Sequence, residues 1–163
     1  MNTFLGAAQL LEKDSVDTSA VANSAIIYLE GYLWDPAEPR AAMEAAIAAA
    51  HAAGRKVAFT LSDTFCVDRH REGFWQLLRD GKVDILFANE AEAAAMGQVN
   101  DVEEAIDCLA KVVPTLVVTR SEAGATAISG GERADVPAEP IDRLVDTTSA
   151  GDLFAARFLA GDA

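Results

Sequence analysis

KVAFTL at residues 56–61, DRHREGFWQLLRD at 68–80 and VDILFA at 83–88 read as strand, helix and strand in one unit. The two outer runs are apolar almost without interruption, as strands covered on both faces are. Between them Phe74, Leu77 and Leu78 recur at helical spacing on one side, and Gly81 is the kind of residue that closes such a helix. The same alternation continues in both directions along the chain.

Upstream, residues 25–29 (AIIYL) form a strand-like run that ends at Glu30, Gly31 and Tyr32. Asp35, Pro36, Ala37 and Glu38 then offer an N-cap, a first-turn proline and a first-turn acid. An Ala-rich helix follows, with Met43, Ile47 and Ala50 on its inner side and Gly54 at its end. Downstream, a short helix is expected from near Asn89 to Gly97. Asn100 with Glu103 resembles a capping box ahead of a helix lined by Val102, Ile106 and Leu109. TLVVT at 115–119 supplies a fourth strand, and residues 125–128 and 133–136 form a hairpin through Gly130 and Gly131. A last strand is expected at Leu144 and Val145, running into an apolar helix. The pattern predicts an α/β fold: a parallel sheet flanked by helices on both faces, with a β-hairpin. Ligands of such sheets sit beyond the carboxyl ends of the strands. That places Glu30, Ser62, Asp63, Asn89, Thr119 and Asp146 on one rim.

The 163 residues fit one domain, able to bury about 70% of its unfolded surface. With 51% hydrophobic and 24% charged residues, the chain belongs to the globular class. No apolar run approaches the ~20 residues a membrane helix needs. The opening MNTFLGAAQL has no basic stretch before an apolar one, so neither membrane nor export is expected and the cytoplasm is. Twenty-six acidic against thirteen basic residues give a net charge of −13, which disfavours nucleic acid as a partner. An anionic ligand such as ATP needs Mg²⁺ and a helix dipole to overcome that field. Cys66, Cys108, His51 and His70 complete neither a zinc site nor a disulfide framework, which leaves reduced, buried or half-buried thiols.

The densest chemical signal is DTTSAGD at 146–152, between the expected last strand and helix. Small residues at 149–151 admit a ligand close to the backbone, and the amides of a helix start attract an anion. Asp152, just inside the turn, stands where it can accept a proton from an attacking hydroxyl; phosphoryl transfer needs that pairing of amide cradle and base. The same spacing also suits an ordinary helix cap, with Thr148 or Ser149 as N-cap and Asp152 in the first turn. On their own, Asn89 in a loop and Glu92 at a helix start read as caps.

DTTSAGDLFAA at 146–156 resembles the second signature of the PfkB carbohydrate and nucleoside kinases, a ribokinase-like family. The resemblance implies Asp152 as the base and Ser149, Ala150 and Gly151 as an anion hole. It further implies Asp146 and Thr148 beside a monovalent cation such as K⁺. NEAE at 89–92 resembles the family's Asn-x-x-Glu motif, implying that Asn89 and Glu92 arrange Mg²⁺ and phosphates through water. Thr119 and Ser121, with Gly124, stand where many members contact ATP phosphates. Residues 28–35 (YLEGYLWD) and 61–71 (LSDTFCVDRHR) resemble the bacterial adenosine-kinase-like branch. Ser149 stands where the family has glycine, adding a Cβ to a turn that favours positive φ, and Arg157 where it has a small residue.

The resemblance spans nearly the whole chain but only the second half of a full-length member. The expectation is that residues 1–163 are the carboxy-terminal portion of a kinase domain, an incomplete version of the fold. On that expectation the lid-bearing half that grips the sugar lies outside these residues. The implied activity is ATP- and Mg²⁺-dependent phosphorylation of a nucleoside or sugar hydroxyl. The alternative is a catalytically inactive remnant that binds nucleotide or a partner chain. An uncovered sheet edge makes a homo-oligomer an expected partner arrangement.

Overall fold

A computed structural model describes residues 5–143 and 145–162. Six strands lie in one sheet in sequence order: β1 (Ile26–Glu30), β2 (Lys56–Thr60), β3 (Ile85–Asn89), β4 (Thr115–Thr119), β5 (Ala125–Ser129) and β6 (Glu132–Val136). The first four pair parallel, as the alternation predicts, and β5–β6 is the antiparallel hairpin. The helices are α1 (Thr18–Asn23), α2 (Ala37–Ala52), α3 (Thr64–Arg79), α4 (Glu90–Gly97), α5 (Val102–Leu109) and α6 (Ala150–Asp162).

Strand side chains alternate between faces. Val57, Phe59, Leu86, Leu116 and Val118 point toward α2–α5 and join a large core with Met43, Ile47, Phe74, Ile106 and Leu109. Ala58, Ile85, Phe87 and Val117 point the other way, to a small cluster closed by Ala155, Phe154, Phe158 and Leu159 of α6. Helices therefore lie on both faces, unequally.

Four local expectations change. The third helix begins at Thr64 rather than 68, because the Asp63 carboxylate caps it by accepting the Cys66 amide at 2.6 Å. Asp35 does not cap α2; Pro36 holds that position. The Asp35 carboxylate instead accepts from Arg69 Nε and Nη2 at 2.9 and 2.6 Å, and from His70. Asp101, not Asn100, caps α5, accepting the amides of Glu103 and Glu104. Glu103 is thereby free to pair with Arg120 and Arg133 at 2.8 and 2.6 Å. Val145 lies in no strand and is 82% exposed; Leu144 lies outside the described residues. Among the described residues no helix is long and apolar enough to cross a membrane.

Candidate functional site

The parallel strands all end on one side, and β4 hands the chain to the hairpin there. Beyond those ends, under the start of α6, is a cleft of ≈ 350 Å³. Its walls are Glu30 at the end of β1, Thr60 at the end of β2 with Ser62 beyond it, Asn89 at the end of β3, Glu92 of α4, Thr119 at the end of β4, and residues 147–152. Of the six rim residues read from the sequence, Glu30, Ser62, Asn89 and Thr119 line it. Asp63 is turned to its capping role, and Asp146, bonded to Thr148, is not on the wall.

The start of α6 is made by a tight turn. Ser149 takes φ +59°, the left-handed conformation expected where the family has glycine. The Ala150 amide donates back to Thr147 O at 3.1 Å, so of the small-residue run it is Gly151 that presents a first-turn amide at a helix start. A Cβ built on Gly151 meets nothing within 4 Å, so its smallness answers to no neighbour among the described residues. Asp152 follows in the first turn and shares the cleft wall. Asp146 Oδ1 accepts from the amide and the hydroxyl of Thr148 at 2.8 and 2.7 Å, which holds its carboxyl below the usual range.

Across the strand ends, Asn89 and Glu92 form a full capping box. Asn89 Oδ1 accepts the Glu92 amide at 2.8 Å, while the Glu92 carboxylate accepts Asn89 N at 3.0 Å and Nδ2 at 2.7 Å. The pair caps α4, and both residues line the cleft. Glu92 is 5% exposed, and burial pushes its carboxyl up, opposed by the Asn89 amide and aided by the Asp63 charge. Burial likewise raises Glu30, with the nearby Asp152 adding to the push. Tyr28, one alternation before Glu30, is driven to about 12 by burial, against a hydrogen bond with Thr60. Several carboxylates thus converge on one cleft, which favours a ligand that brings a cation or donates hydrogen bonds.

Ser121 and Gly124 lie in the turn after β4, next to the cleft but not on its wall. Gly124 has a structural reason of its own: at φ +92°, a Cβ would sit 1.9 Å from Val136 O of the hairpin. Arg157 is exposed on α6. Tyr28, Tyr32, Thr60 and Phe154 also line the cleft and were not singled out as site residues. For Tyr28 the signal was present, since period-two alternation puts it on the same side as Glu30.

The description "pfkB family carbohydrate kinase" matches residues 1–163. The adenosine kinase of Sinorhizobium meliloti superposes with a TM-score of 0.95 at 47% identity, over 99% of this chain and 49% of that one. A probable sugar kinase of Rhizobium etli CFN 42 gives 0.95 at 48% identity, again over 99% and 49%. The cytidine kinase of Thermococcus kodakarensis is 42% identical over 93 residues, 52% of this chain and 32% of that protein. The chain therefore spans about half the length of the solved structures it matches.

Proposed function

This chain belongs to the pfkB family of carbohydrate kinases, and on that premise we propose that it serves ATP-dependent phosphorylation of a nucleoside or sugar hydroxyl. The observation that carries the reading is Asp152 in the first turn of α6, on the wall of a cleft shared with Thr119, Asn89 and Glu92. Asp152 takes the proton of the acceptor hydroxyl as that oxygen attacks the terminal phosphorus of ATP, and ADP leaves. The turn at 149–152 faces the transferring group, with the Gly151 amide and the helix dipole stabilising its charge. Thr119, with Ser121 and Gly124 behind it, holds the nucleotide phosphates.

The donor set suits a Mg²⁺ that arrives with the nucleotide. Among the described residues no three His, Cys, Asp or Glu side chains converge to cage an ion. Mg²⁺ ordinarily keeps several waters and binds through one or two carboxylates plus phosphates. Glu92 and Asn89, which bond each other, would orient those waters. The ion supplies neutralisation of phosphate charge in a carboxylate-rich cleft. Asp146 and Thr148 are the pair for a monovalent cation such as K⁺. The reading implies a cytoplasmic enzyme, where ATP is supplied.

Asp152→Asn tests it, since amide for carboxylate keeps shape and first-turn position while removing the base. Turnover of adenosine or ribose with MgATP should fall on the order of 10²–10⁴-fold with MgATP affinity little changed. Retained turnover overturns the assignment. A second reading, nucleotide binding without turnover, predicts MgATP binding but no product with these 163 residues.

A further inference from the structure

Among the described residues, four other than glycine hold a left-handed φ: Ser62 (+72°), Gln98 (+55°), Ser121 (+50°) and Ser149 (+59°). Gln98 is the ordinary case, a helix C-cap. The three serines stand at the carboxyl-end rim of the sheet, after β2, after β4 and before α6. A residue with a Cβ adopts this conformation at a cost, and keeps it where its surroundings over-determine it. The α6 turn accounts for Ser149, and the tight turn after β4 for Ser121. Ser62 sits at the centre of the tightest turn of the three, the Asp63 amide donating across it to Leu61 O at 3.0 Å.

Its over-determination is visible. The Tyr32 hydroxyl donates to Ser62 O at 3.1 Å, and the Tyr32 amide to Ser62 Oγ at 3.3 Å. Gly31 lets the two segments meet, since a Cβ there would lie 2.8 Å from Leu61 O. The Ser62 hydroxyl proton is poorly used by comparison. Its acceptor, Thr60 O, is 3.5 Å away, long for an O–H···O bond. A strained residue thus brings an underused donor to the wall of the cleft.

We propose that Ser62 is a binding residue for the acceptor, its hydroxyl donating to a hydroxyl oxygen of a polyhydroxylated substrate. The proposal rests on the phosphotransferase reading and deepens it. Glu30 lines this cleft, at the end of the strand that leads to Tyr32. An anion beside Ser62 meets that carboxylate, whereas a neutral polyol accepts from Ser62 and donates to it. Phosphate belongs instead with the first turn of α6, where the dipole favours it.

Two variants separate strain from binding. Ser62→Gly removes both Cβ and hydroxyl; Ser62→Ala removes the hydroxyl and keeps the Cβ. Binding of D-ribose and adenosine to the 163-residue chain should weaken about fivefold in both, the worth of one neutral hydrogen bond, with MgATP affinity unchanged. Ser62→Gly should melt about 2–6 °C above Ser62→Ala, because only it relieves the strain. Gln98→Gly, the control, should leave ribose and adenosine binding as they are. Ribose and adenosine affinities unchanged in both Ser62 variants overturn the proposal and leave the kinase reading standing. A chain that binds MgATP but no ribosyl compound does the same. One that binds neither overturns both.

Discussion

The two faces of the sheet are built to different standards. Toward α2–α5 the packing is deep: Phe59, Phe74, Leu86, Ile106 and Leu116 are each 1% exposed or less. Toward α6 the cluster holds five buried residues among those described, and Leu153 on that helix is 71% exposed. The first face has the aromatic edge contacts Phe59–Phe74 and Trp34–Phe74, with ring centres 5.2 and 6.0 Å apart. The second has Phe87–Phe158 at 5.6 Å as its link between sheet and helix. Stability is concentrated on one face, while the proposed chemistry sits at the loosely held start of the helix on the other.

Truncation on each face sharpens that contrast. Phe74→Ala should cost about 3–5 kcal/mol, the usual range for a buried aromatic, read as a fall in urea midpoint. Phe158→Ala, on a half-buried ring, should cost about 1–2 kcal/mol by the area it covers. It should weaken MgATP binding more than Phe74→Leu does, because it unseats α6. Equal stability losses from the two alanine variants would break the comparison.

Ser149→Gly acts on the α6 turn from the opposite side. It relieves the left-handed φ of a residue with a Cβ and should raise stability by about 0.5–1 kcal/mol after the entropy glycine adds to the unfolded chain. Thermal unfolding reads this, and a loss of stability would show that the serine hydroxyl holds the turn.

The smallest effect concerns the hairpin. Arg133, and after it Thr126, hold the Asp135 carboxyl down at about 2, from an ordinary value of 3.8. A depressed folded value means stability that is present above the unfolded value and lost as pH falls through the folded one. Amide protection across β5–β6 should therefore decline between about pH 4 and 2, and earlier than in the α2–α5 core. Asp135→Asn should remove that dependence. Because these groups are exposed, added salt should shrink it.

The deep face was the legible one. Its strands and helices followed from local periodicity, and β4 falls on the expected residues because nothing competes with TLVVT for strand. Expectations failed where a side chain answered to a distant partner. Asp35 reads locally as a cap, but Arg69 and His70, 34 and 35 residues away, take its carboxylate. Glu103 reads as half of a capping box, but Arg120 and Arg133 claim it. At the site, Asn89, Glu92, Thr119 and Ser149–Asp152 were legible as motifs. Tyr32 was not, since its bonds to Ser62 join segments 30 residues apart. The strain at Ser62 was not either, because serine carries no signal for positive φ.

The proposed ligand chemistry belongs to the cleft under α6, and stability to the opposite face. Amide chemical-shift mapping with MgATP titrated into the labelled chain tests it most directly. Shifts should concentrate at Ser149 to Asp152, Thr119, Ser121 and Asn89, with Phe74, Leu77 and Ile106 unmoved. Shifts centred on α2–α5, or none at millimolar MgATP, would contradict it.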